Sequence, residues 1–172
     1  MGSWIKLAGF ILLSFVMISG SSLLAEELTR VFNRLNLNKR DLHDFVRITV
    51  CQGDESCEKA KDEFEIDLND DGMPEYFIGV LCGNGGCEYH CFENIDDQKF
   101  KYIGPIFLQR GGFEILKTKH HRFSDILSYS HTSATTGTLT RYEFDGHQYR
   151  VRYGPKEVSS SFFELLRPAT VK

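Results

Sequence analysis

From residue 63 onward the chain is a series of short β-type runs, apolar and aromatic residues mixed with polar ones, separated by Gly, Asn, Asp and Pro. That punctuation is what the tight turns of an antiparallel sheet select. Eight runs follow this pattern: 64–68, 75–82, 87–93, 99–104, 112–118, 124–131, 138–144 and 148–153. Joined by short turns, they predict an antiparallel meander of seven or eight strands, curled or split into two layers. Asp145-Gly146 gives the last pair a local hairpin signal, because Gly tolerates the positive φ such turns require. Residues 159–166 could add a short helix or a final strand before Arg167-Pro168 stops it.

The pattern changes before residue 63. Leu28, Val31, Phe32 and Leu35 recur at helical spacing behind Glu26 and Glu27, which suit a helix N-terminus, so 26–36 predicts an amphipathic helix. Residues 36–39 read as a break. Asp41–Val50 is open between a second short helix and a strand, and QGDES (52–56) is a polar loop. The fold class expected is α+β: one domain, residues 26–172, with an N-terminal helix on a predominantly antiparallel sheet.

The first 25 residues have another role. Lys6 precedes an apolar stretch from Leu7 to Ile18, followed by Gly20, Ser21, Ser22 and Ala25, the layout of a secretory signal peptide cleaved after Ala25. The apolar stretch falls short of the ~20 residues a spanning helix needs, so no stable membrane span is expected once the signal is removed. The expected location is periplasmic or secreted. The remaining 147 residues carry 19 basic and 24 acidic side chains, a formal charge of −5. That balance gives no basic face for nucleic acid.

All five cysteines, Cys51, Cys57, Cys82, Cys87 and Cys91, lie in the exported part, where thiols pair. Two disulfides and one spare thiol are expected. Proximity favours Cys51 with Cys57 and Cys82 with Cys87, while Cys91 could replace either partner.

The segment richest in chemistry is DLNDDGMPE, residues 67–75. Asp67, Asn69, Asp71 and Glu75 occupy positions 1, 3, 5 and 9 of a calcium loop, Gly72 takes the sharp turn at position 6, and the Met73 carbonyl stands at position 7. Alternate residues of a curling loop point inward, and their oxygens suit a hard cation. Ile78 at position 12 and the strand-like run that follows depart from an EF-hand and favour a loop between two strands. The competing reading is a metal-free turn, which selects the same residue types.

Residues 67–89, DLNDDGMPEYFIGVLCGNGGCEY, resemble small exported bacterial domains of uncharacterised role, in which a DLNGDGxPE-type loop leads into a strand ending in CGxGGC. The loop alone resembles the calcium loops of FG-GAP and VCBS repeats, and TRYEFDGHQY is similar to a YxFDGxxY hairpin of the first group. The resemblance implies a secreted or periplasmic β-rich domain with Cys82 and Cys87 paired, and no catalytic residue. Asp70, where Gly is usual, and the additional Cys91 depart from the pattern. A whole propeller is excluded by length.

Three other groups invite chemistry. Cys82, Cys87, His90 and Cys91 are soft ligands, but a strand would put His90 and Cys91 on opposite faces. Lys117, Lys119, His120, His121 and Arg122 could meet an anion, yet read first as a solvated turn. Asp125, His131 and Ser133 have the residue types of a triad without a nucleophile elbow. Two functions are therefore expected to compete. One is an exported, non-catalytic binding domain for a protein or cell-envelope ligand; the other is a metal-dependent periplasmic hydrolase using Asp67, Asp71 and Glu75 with His120, His121 or His131.

Overall fold

The computed structural model describes residues 38–52, 54, 55, 57, 62–96 and 99–159. The expected signal peptide, the helix expected over 26–36 and nearly all of the 159–166 segment lie outside the described residues. Within them, helix α1 (Lys39–Thr49) precedes eight strands: β1 (Asp62–Ile66), β2 (Glu75–Gly83), β3 (Gly86–Asn94), β4 (Phe100–Leu108), β5 (Phe113–His120), β6 (Phe123–His131), β7 (Thr136–Phe144) and β8 (Tyr149–Ser159).

Helix α1 resolves the open segment. Leu42, Phe45 and Val46 repeat at i, i+3 and i+4 and are buried, a spacing that a strand would divide between two faces. Asn38 starts the helix: its Oδ1 accepts from the Arg40 and Asp41 N–H groups at 3.0 and 3.3 Å, while the Asp41 carboxylate accepts from the Asn38 N–H at 3.4 Å. This capping box satisfies amide groups that a helix end leaves free, and is worth on the order of 1 kcal/mol.

The strands take the split form of the expected meander rather than one continuous sheet. They form two antiparallel sheets of four, β1-β2-β3-β4 and β5-β6-β7-β8, each a meander in sequence order. Phe77, Tyr89, Cys91, Ile103, Ile106 and Leu108 of the first sheet pack with Phe123, Ile126, Tyr142, Phe144 and Tyr149 of the second in one core. The opposite face of the first sheet, through Tyr76, Ile78, Val80, Phe92, Phe100 and Tyr102, packs with Leu42, Phe45 and Val46 of α1. The first sheet is thus buried on both faces, which explains why β2 and β3 read as almost unbroken buried runs. One eight-stranded sheet would leave one of these faces to water.

Aromatic side chains fill the space between sheets. Phe64 stacks on Phe77 with ring centroids 4.6 Å apart, and Phe123 meets Phe144 at 4.4 Å. Tyr89 folds over Gly79, its cross-strand partner: a Cβ on Gly79 would lie 2.8 Å from the ring, so only glycine admits this packing. Disulfides join Cys51 to Cys57 beside α1 and Cys82 to Cys87 across the β2–β3 turn, the pairs that proximity favours; Cys91 is free and buried. These bonds belong to an oxidising or extracellular compartment. Among the described residues, no helix is long and apolar enough to cross a membrane.

Candidate functional site

The connection between β1 and β2 is the DLNDDGMPE loop. Its first carboxylate organises the backbone: Asp67 Oδ1 accepts from the N–H groups of Asp70 and Asp71 at 2.8 and 3.3 Å, and Oδ2 accepts from the Gly72 N–H at 2.9 Å. Asn69 Oδ1 accepts from the Asp71 N–H at 3.0 Å, and Asp71 Oδ1 from the Met73 N–H at 2.8 Å. Asn69 Nδ2 donates to Asp71 Oδ2 at 2.8 Å. Gly72 (φ +83°) and Asp70 (φ +61°) supply the left-handed backbone that closes the turn. Gly meets that demand without strain, and Asp tolerates it better than most residues.

Beneath the loop lies Glu75, whose surroundings differ from those of the other acids. It is 0% exposed; its Oε2 accepts from the Leu68 N–H at 2.6 Å, and its Oε1 is buried with no hydrogen-bond partner. Burial, with smaller contributions from Asp71 and Asp67, pushes its pKa up to about 7, against the Leu68 N–H that favours the ionised form. A buried carboxylate with an unused oxygen beside two further carboxylates is costly without a cation.

The second sheet closes over this loop. The Lys119 ammonium contacts the Asp70 carboxylate and lies 3.3 Å from the Asn69 carbonyl, and the Ser124 N–H donates to the Leu68 carbonyl at 2.8 Å. The basic segment is consequently not a solvated turn throughout: Lys117, Lys119 and His120 belong to β5, and the turn itself is His121-Arg122, both at positive φ.

A second cluster, which sequence spacing does not group, lies across β5, β6 and β7. His120, Asp125 and Glu143 offer ligand atoms that all lie within 4.8 Å of one another, a group able to hold a metal ion. Asp125, 0% exposed, accepts from Thr118 Oγ1 at 2.5 Å, His120 Nδ1 at 2.7 Å and Arg141 Nη2 at 2.7 Å. Arg141 also pairs with Glu143 at 3.1 Å. Burial would raise the Asp125 pKa, but the bonds from Thr118, His120 and Arg141 outweigh it and hold the carboxyl below its ordinary value. In this arrangement the guanidinium supplies the positive charge that a metal would otherwise bring. Pairs such as Ile126 with Tyr142 set the register that brings Asp125 and Glu143 together, and nothing in the local sequence announces it.

The remaining groups separate. The Cys82–Cys87 bond removes two sulfurs from the soft-ligand set, and His90 turns to Tyr102 Oη at 2.9 Å and Glu88 at 3.1 Å, so no zinc site forms there. The triad residues do not meet. His131 Nδ1 lies 3.3 Å from Tyr129 Oη, and Ser133 Oγ bonds Thr136 Oγ1 at 2.8 Å within the β6–β7 turn. His120 adjoins a residue that touches the acidic loop but turns its ring to Asp125 and Glu143; His131 lies at the other end of β6 from Ser124. Among the large aromatics, Phe107 and Tyr153 are exposed, whereas Tyr76, Phe77, Tyr89, Phe92, Tyr102, Tyr142, Phe144 and Tyr149 are core.

Fold and site together define a disulfide-bonded domain of two packed antiparallel sheets with an acidic loop at one connection. No family model matches the chain, and neither does any curated protein or solved structure.

Proposed function

We propose that this is an exported, non-catalytic interaction domain in which a calcium ion, held by Asp67, Asn69, Asp71, the Met73 carbonyl and Glu75, locks the β1–β2 connection. The observation that carries the reading is Glu75: fully buried, one oxygen spoken for by Leu68, the other without a partner. The likeness of residues 67–89 to exported domains with such loops agrees with it. Asp67, Asp71 and Glu75 do not reach the 4.8 Å mutual spacing that His120, Asp125 and Glu143 achieve, so the ion would draw the loop inward. Its role is then structural, coupling loop order to the fold. The partner class is a protein or cell-envelope ligand met on a rigid scaffold.

The test is thermal unfolding of the oxidised chain with millimolar calcium and with excess chelator, alongside Asp67→Ala. At ten times Kd, binding contributes about 1.4 kcal/mol, a rise in Tm of several °C. Calcium should leave Asp67→Ala unmoved. A Tm identical in calcium and chelator would reduce the loop to a turn.

A second reading, the metal-dependent hydrolase, draws on the His120, Asp125 and Glu143 group, the described residues best spaced for a metal. It requires a divalent ion to displace Arg141. Turnover of an ester, peptide or phosphate substrate, lost in His120→Ala and restored by no monovalent salt, would favour it over the interaction domain.

A further inference from the structure

The calcium loop is short of one ligand. Calcium takes six to eight oxygens, and the bidentate carboxylate that would complete a twelve-residue loop is absent, because position 12 is Ile78, buried against α1. The missing oxygen can come from water or from another part of the fold. Glu93, at the end of β3, meets the requirement on three separate grounds.

The first is register. Tyr76 pairs with Phe92 and Phe77 with Cys91. One step further along the same antiparallel register, Glu75 comes alongside Glu93, and alternation puts both on the face that carries Phe77 and Cys91. The second is burial without satisfaction. The Glu93 side chain is 2% exposed, and its Oε2 is buried without a hydrogen-bond partner, as is Oε1 of Glu75. These are the two such carboxylate oxygens among the described residues, and they belong to cross-strand neighbours. Each orphaned lone pair carries a desolvation cost. A cation reached by both oxygens would remove it.

The third ground is the charge that stands there now. Arg122, from the β5–β6 turn, pairs with Glu93 Oε1, and Lys101 Nζ stands 3.9 Å from Oε2, beyond hydrogen-bond reach. Arg122 is 59% exposed, so it can withdraw into water at little cost. The same hairpin sends Lys119, from β5, to Asp70 and Asn69, so Glu93 and the loop face one hairpin.

We infer that Glu93 is the calcium ligand contributed from outside the loop, its buried Oε2 completing the shell begun by Asp67, Asn69, Asp71, Met73 and Glu75. This rests on the calcium reading given above. The ion would take Oε2 while Arg122 holds Oε1, so the two cations oppose each other across one carboxylate and calcium binding loosens the guanidinium.

The experiment is calorimetric titration with calcium chloride of the full chain, produced by export so that both disulfides form, compared with Glu93→Gln and Arg122→Gln. Near-ultraviolet circular dichroism in chelator establishes that each variant is folded. Glu93→Gln should bind calcium at least 10-fold more weakly. Arg122→Gln, which removes the competitor and keeps the ligand, should bind as tightly as the unaltered chain or more tightly. Unchanged affinity in Glu93→Gln would overturn the assignment while leaving the loop reading intact. Equal losses in both variants would also overturn it, since Glu93 would then act through its ion pair. Absence of calcium binding by the unaltered chain would end both readings.

Discussion

The Ser124 N–H donates to the Leu68 carbonyl at 2.8 Å, joining the first residue pair of β6 to the acidic loop of the other sheet. Leu68 is fully buried in the intersheet core, and its own N–H is held by Glu75. A backbone chain therefore runs from Glu75 through Leu68 to Ser124. Exchange of the Ser124 amide requires this chain to open, and the opening frees the loop. Calcium at ten times Kd should accordingly slow Ser124 exchange by up to about 10-fold if the opened loop cannot bind the ion. Amide exchange followed by NMR checks this. Protection confined to Asp70 and Gly72, with Ser124 unaffected, would show that the ion's influence stops at the loop.

The Asp125 network gives the domain an acid limit. Thr118, His120 and Arg141 all bond the ionised carboxylate, which therefore titrates below its ordinary value of 3.8. A depressed carboxyl contributes stability that is fully present above its unfolded pKa and is lost as pH falls through the folded one. Asp145 acts in the same direction: burial would raise it, but the N–H groups of Gln148 and His147 and the Arg150 guanidinium pull it down. Denaturant unfolding should thus show stability declining as pH falls below about 4. Asp125→Asn should lower stability by about 3 kcal/mol at neutral pH, because it leaves Arg141 without its buried counter-charge, and should flatten the acid slope. A slope equal in the variant and the unaltered chain would locate the acid sensitivity elsewhere.

Short β-type runs between Gly, Asn, Asp and Pro made all eight strands legible, including β2 and β3, whose buried runs do not alternate. What the pattern lacked was the break between β4 and β5: Gln109, Arg110, Gly111 and Gly112 look like any other hairpin turn, yet here the chain leaves one sheet for the next. Helix α1 was ambiguous because its apolar set is small; Asn38 and Asp41, three residues apart, were the readable signal for its start. The acidic loop was legible because its acidic and amide side chains fall within nine consecutive residues. Glu93 and the Asp125–Glu143 pair were not, since their neighbours are set by cross-strand register, which spacing along the chain does not encode. The hairpin at Asp145-Gly146 formed with a wider loop than its dipeptide suggests: Phe144 pairs with Tyr149, and Asp145 Oδ1 holds the turn by accepting from the His147 and Gln148 N–H groups.

Cys91 poses a chemical problem in an oxidising compartment, where a spare thiol four residues along β3 from Cys87 invites exchange whenever the sheet opens. The attacking species in exchange is the thiolate. Cys91 is 0% exposed, burial pushes its thiol well above the usual range, the Glu75 charge pushes the same way, and the S–H donates to the Tyr89 carbonyl at 3.6 Å. Both thiolate formation and access are therefore suppressed, and the disulfide pattern is protected by packing. The native chain at pH 8 should resist iodoacetamide for hours, whereas the denaturant-unfolded, unreduced chain should take up a single label, which peptide mass analysis would assign to Cys91. Because Cys91 packs with Phe77 and Tyr89 and makes no covalent bond, Cys91→Ala should cost about 1 kcal/mol and leave both disulfides in place. Labelling of the folded protein within minutes would mean that the core opens around β3 far more often than its burial implies, and that the pairing of Cys82 with Cys87 depends on something other than an unreactive neighbour.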